Sequence, residues 1–320
     1  MIRAMPDLSA AVEIVINRCL GVRAGEEVLV IADQATRGIG EALRESARAA
    51  QADAVLAIMD ERVEHGTEPP SVIAAALHAA DVYIAPTTRS LSHTRARKQA
   101  SDRGARGATM PGVTEDILAR VMAVDFDRMA TRSRHLAMLL SDADEARLTC
   151  PRGSDLTLDL TGRPGIADDG DLTRAGAFGN LPCGEGFIAP LSGEGTIVAE
   201  SLASLGVSEP PAHLTVAGGH IVAAEDGLGP QYLERLQAYG EPGTNLAELG
   251  IGTNERATLT GNILEDEKIL GTVHVAFGAS AGIGGTVSVP IHLDVVVVDP
   301  TLDVGGRRVL DAGRFVLGGS

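Results

Sequence analysis

The run Glu27-Val28-Leu29-Val30-Ile31-Ala32, closed by Asp33, decides the fold of the first part of this chain. It is short, apolar without alternation and rich in branched residues, the pattern of a strand buried on both faces of a parallel sheet. Outward from it, helical and strand patterns alternate. Residues 8–20 carry Ala11, Ile14, Val15 and Leu20 at helical spacing, with Gly21 as the cap. Beyond Asp33, helices are predicted over 38–51, 70–80 and 94–103, strands over 52–59, 81–86 and 105–110, and one long or two short helices over 114–140. This alternation predicts an N-terminal α/β domain, a doubly wound parallel sheet of Rossmann-like form, over residues 1–142. No GxGxxG follows the first strand, so a bound dinucleotide is not expected.

Near Ser141-Asp142-Ala143-Asp144 the pattern changes from helical periodicity to strand alternation, as in Leu156-Thr157-Leu158-Asp159-Leu160. Turns such as Arg163-Pro164-Gly165 and Glu241-Pro242-Gly243 separate many short strands. A helix is predicted over 230–239, and Gly305-Gly306 marks a closing hairpin. Residues 143–320 therefore read as a β-rich, α+β domain.

Composition narrows the functions. The 320 residues carry a formal charge of −16, which argues against a nucleic-acid surface, because neutralising phosphates takes concentrated Lys and Arg. Cys19, Cys150 and Cys183 are odd in number and form no CxxC pair, so neither a disulfide framework nor structural zinc is indicated, and a reducing cytoplasm fits. The N-terminus carries charges through what would be the core of a signal peptide, and no long uncharged apolar run suggests a membrane span.

The chemistry is expected in Gly271–Pro300, GTVHVAFGASAGIGGTVSVPIHLDVVVVDP. In a strand, His292 and Asp294 at i and i+2 point to one face, and His274 lies on a neighbouring run able to fold beside them. Two imidazoles and a carboxylate on one face suit a divalent metal. Upstream, Glu185 in NLPCGEGFIAP and Glu248 in NLAELGIGTN stand among Gly, Leu, Ile and Pro. A lone carboxylate buried there needs a partner, and a metal would supply it.

Taken in order, NLPCGEGFIAP, NLAELGIGTN, HVAFG (from His274) and HLD (from His292) resemble the metal-site motifs of the thermophilic leucyl aminopeptidase family, the aminopeptidase T type. The resemblance implies a metallohydrolase with two divalent ions, Zn²⁺, Co²⁺ or Mn²⁺, held by Glu185, Glu248, His274, His292 and Asp294. A shared hydroxide would attack the carbonyl of a short peptide or related small amide, with Glu185 as the catalytic residue that bridges the metals or carries the proton to the leaving amine. It also implies a homodimer. Where the family has a tyrosine after the first histidine, this chain has Gly278-Ala279-Ser280-Ala281. The related 2,5-dihydroxypyridine 5,6-dioxygenases give the alternative: one non-haem Fe(II) on His274, His292 and Asp294, two histidines and a carboxylate with open positions. A non-catalytic binding protein on the same fold is the third reading.

The remaining polar residues read more plainly. His65, His78, His135 and His213 read as structural or surface residues; His93 and His220 are weaker candidates for substrate contact. Glu265-Asp266-Glu267 reads as a solvated acidic turn, or else as support for a ligand histidine. Cys183 reads as inert. The glycine run 278–285 lacks the phosphate-loop lysine and reads as a flexible turn. No GxSxG elbow is present.

Overall fold

Strand Glu27–Ala32 lies second in a five-stranded parallel sheet, flanked by Asp53–Ile58 at the edge and by Val82–Ala85, Arg106–Thr109 and Phe178–Asn180 on the other side. The structure is a computed structural model and describes residues 8–316. The strand order is that of a doubly wound α/β sheet whose connections reverse beside the first strand. Each predicted strand and helix of this part forms, within a few residues of its expected ends. The 8–20 helix is α-helical over Ser9–Glu13 and widens to a π-helix over Ile14–Cys19, which keeps Val15, Ile16 and Cys19 buried together. Thr94 and Thr114 cap their helices by accepting from the Arg97 and Ile117 amides. The 114–140 region resolves into two helices, Glu115–Val121 and Phe126–Ser141.

Contacts divide the chain at Val124 rather than at 142: one unit runs to Val124 and includes Gly170–Cys183, and the other holds Asp125–Asp169 and the chain from Gly184 onward. The reason lies in helix Phe126–Ser141. Its Leu136 and Leu140 belong to the apolar core of the second unit, and its Ser133 hydroxyl lies 2.8 Å from that of Thr253. Conversely, Phe178–Asn180, in the segment expected to be part of the second domain, closes the first unit's sheet.

The second unit is built on a thirteen-stranded antiparallel sheet. Five consecutive neighbours carry the polar motifs: Gly165–Asp168, Glu185–Ile188, Leu246–Gly252, Val273–Gly278 and His292–Val297. Leu249, Ile251, Val273, Val275, Val295 and Val297 point into the apolar core. Alternation therefore sends Glu248, Gly250, His274, Ala276, His292 and Asp294 to the other face. The glycine run expected to be a flexible turn contains a 3₁₀ turn, Ala281–Ile283, and the Ser280 hydroxyl accepts from the Val287 amide. Among the described residues no helix is long and apolar enough to cross a membrane.

Candidate metal centre

The strand register assembles the site. Asp294 pairs with Ala276 and His292 with Gly278; His274 pairs with Gly250, and Gly252 with Glu185. Small residues opposite large polar ones leave room for the side chains to lean across the sheet. Gly250 shows the need most sharply, because a Cβ there would lie 2.0 Å from His274 Nε2. Gly250 is thus the floor on which the histidine rests.

All five residues expected as metal ligands meet in one buried cluster. His274 Nε2 lies 3.1 Å from Glu185 Oε2 and 3.4 Å from Glu248 Oε1. His292 Nε2 lies 3.2 Å from Glu248 Oε2 and 3.7 Å from Asp294 Oδ1. They form two overlapping three-residue sets able to hold a cation: Glu185, Glu248 and His274, and Glu248, His292 and Asp294. Glu248 is common to both.

Donor chemistry supports a cation here. Among the described residues, Glu185 Oε2 and both ring nitrogens of His274 are buried without a hydrogen-bond partner. The 3.1 Å approach of His274 Nε2 to Glu185 Oε2 is an ion-pair contact when the ring is protonated. Buried polar atoms left in this state are costly unless something binds them, and imidazole and carboxylate donors converging within a few ångströms fit a divalent metal. His292 is aimed by its other nitrogen, Nδ1, which lies 2.7 Å from the Ala279 carbonyl oxygen; with the proton there, the Nε2 lone pair faces Glu248 and Asp294.

Electrostatics point the same way. Burial would lower the pKa of His274 and of His292, but the carboxylates of Glu185 and Glu248 for the first, and of Asp294 and Glu248 for the second, hold both well above the ordinary value. Burial pushes Glu248 upward, and the two imidazolium rings beside it outweigh that and hold it far below the usual carboxylate range. Without metal, the rings serve as counter-ions; a bound metal replaces their protons.

Three further residues stand in the cluster: Lys268 and Asp168, which the sequence did not single out, and Glu267, from the acidic run whose alternative reading was support for a ligand histidine. Lys268 is fully buried, with its ammonium 2.6 Å from Glu185 Oε1, 2.7 Å from Glu267 Oε1 and 3.6 Å from Asp168 Oδ2. Burial raises Glu267 to about 8 and Asp168 to about 7, outweighing the opposing charge of Lys268. The reading of 265–267 as a solvated turn is overturned, since all three side chains are buried. Glu265 accepts from the Thr258 amide and hydroxyl, and Asp266 from the Thr260 and Gly261 amides and the Ser201 hydroxyl. Those bonds pin the turn that presents Glu267 and Lys268. The signal was available: EDEK lies between the apolar pairs Ile263-Leu264 and Ile269-Leu270, an unusual setting for a surface run. Asp168, inside the polar sequence ADDGD, offered none.

His93 is exposed on the first unit; His220 is half-buried with Nδ1 3.2 Å from the Thr244 hydroxyl, and neither joins the cluster.

The sequence profile of the 2,5-dihydroxypyridine 5,6-dioxygenases matches residues 7–317. The chain belongs to that family. Among solved structures it is similar to the 2,5-dihydroxypyridine dioxygenase of Pseudomonas putida KT2440, with 20% identity, a TM-score of 0.80 and 97% of each chain covered. It is also similar to wild-type AmpT of Thermus thermophilus, with 19% identity, a TM-score of 0.72, and 97% of this chain and 99% of the other covered. No curated protein matches. Both relatives implied by the sequence motifs are thus present, and the family match falls on the dioxygenase side, where the motifs had favoured the hydrolase.

Proposed function

We propose that the protein is a mononuclear non-haem iron dioxygenase that opens a dihydroxylated aromatic or heteroaromatic ring. The observation that carries this reading is the family match over residues 7–317, joined to a buried cluster in which His274, His292 and Asp294 stand with Glu248 between the rings. Two imidazoles and a carboxylate leave open positions on a metal for a chelating substrate and O₂. Bound Fe(II) would supply the electron transfer that couples spin-paired substrate to O₂.

The chain's own residues set the conditions. His292, oriented by the Ala279 carbonyl, and His274, seated over Gly250, hold fixed directions; Asp294 and Glu248 supply the negative charge that retains a divalent cation. Glu248 is also placed to take a substrate hydroxyl proton as the ring binds in its dianionic form.

The test uses protein purified and loaded with Fe(II) without oxygen, given 2,5-dihydroxypyridine and related dihydroxylated rings. Ring absorbance is expected to fall with one O₂ consumed per ring, and His292→Ala to abolish both turnover and iron retention. Hydrolysis of aminoacyl arylamides without oxygen uptake would sink the proposal. That second reading, a two-metal aminopeptidase, is favoured by the paired ligand sets sharing Glu248 and by likeness to AmpT.

A further inference from the structure

Lys268 stands in the cluster outside both ligand sets, as do its partners Asp168 and Glu267. Three carboxyl groups from three segments, Asp168, Glu185 and Glu267, surround one ammonium, at 3.6, 2.6 and 2.7 Å. Only 1% of the side chain is exposed, and its shortest ion pair, at 2.6 Å, is with Glu185, a member of the first ligand set.

We propose that Lys268 is a resident cation that takes the place of a second metal ion: with Glu185 as its counter-ion, the cluster accepts one divalent metal, and removing the ammonium opens a second position. The paired sets sharing Glu248 have the outline of a two-metal site. A metal in each set would place two divalent ions and an ammonium in a row inside one buried cluster, where water screens their repulsion poorly. With Lys268 on Glu185 Oε1, the first set has already spent half of its charge. Glu248 is ion-paired with the two rings and Asp294 with His292, rather than with Lys268, so these two carboxylates and His274 and His292 remain for the one metal. The difference between one-metal and two-metal chemistry on this fold then rests on a lysine that coordinates nothing.

This inference deepens the single-iron reading and rests on it. Its test counts metals rather than turnover. Metal-free protein is dialysed against Co²⁺ without oxygen, and bound cobalt is measured per chain by elemental analysis, with circular dichroism as the check on folding. Wild type is expected to hold one Co²⁺, Lys268→Met two, and Lys268→Arg, which keeps the cation, one. Two Co²⁺ in wild type, or one in folded Lys268→Met, would overturn the proposal; if Lys268→Met does not fold, the wild-type and Lys268→Arg counts still decide, since two ions in either refutes it. Failure of the Fe(II)-loaded wild type to cleave the ring, alongside counts of one Co²⁺ in wild type and two in Lys268→Met, would reject the dioxygenase reading and leave the role of Lys268 standing.

Discussion

Two buried polar networks, one in each unit, show how differently a fold can treat polar groups. At the carboxyl ends of the parallel strands, Asp33 accepts from the Ala35, Thr36 and Thr88 amides, and Ser92, Thr109 and Asn180 form a closed set of hydroxyl and amide contacts of 2.7 to 3.3 Å. In the antiparallel unit, the cluster around Glu248 has more charge and fewer hydrogen bonds, with His274 and Glu185 Oε2 lacking any. The first network is complete within the protein; the second needs a cation. Burial of polar residues alone therefore marks no site, whereas burial with donors left over does.

If that contrast holds, substitutions in the two networks separate in what they change. The largest effect is expected from Gly250→Ala, whose methyl group would occupy the place of His274 Nε2. Metal affinity should fall by about 100-fold or more, as when a ligand loses its orientation, and isothermal titration would read it. A variant that binds metal normally would show that His274 is dispensable. Next comes Asp33→Ala, which leaves three amides of the first unit without their acceptor and should cost about 2–3 kcal/mol in urea unfolding with metal affinity unchanged.

A smaller effect concerns pH. Because the metal-free cluster holds His274 and His292 protonated, with pKa values raised above the ordinary range, metal must displace protons to bind. Affinity should thus rise with pH, by about tenfold per unit for each proton displaced, until pH passes the raised values, whereas apo-protein stability from these pairs is lost over the same rise. Affinity that is flat between pH 6 and pH 8 would mean that the rings bind metal from the neutral state. The smallest change is expected from Ser92→Ala, about 1 kcal/mol of stability with no change in metal binding, because its partners Thr109 and Asn180 still meet each other at 2.7 Å.

What the sequence revealed follows the same division. The parallel unit was legible because strands buried on both faces are continuous apolar runs and amphipathic helices lie between them. Phe178–Asn180 escaped because three residues carry no period, and because the strand returns to the sheet after an excursion through the other unit. Helix Phe126–Ser141 was recognised as a helix but assigned to the wrong side, since its apolar stripe does not say which core it faces. In the site, His274, His292 and Asp294 were legible from alternation, and Glu185 and Glu248 from their apolar company. Asp168 was not, because a charged residue in a charged run looks solvated until the fold closes over it; for Lys268 the flanking apolar pairs were the one signal, and the charged run masked it.

The candidate ligands and Asp168 come from five adjacent strands, and sheet pairing aligns them; Glu267 and Lys268 come from the turn after helix Ile263–Asp266. Side chains alternate with a period of two, so a slip of one residue in any of these strands would turn its polar contribution into the apolar core and its apolar residues outward. The cluster is therefore a register gauge: it can take up metal only when the four strands that carry its ligands are aligned to the residue. Metal capture should then be a late event in folding, and the bound ion a lock on the alignment that made it possible.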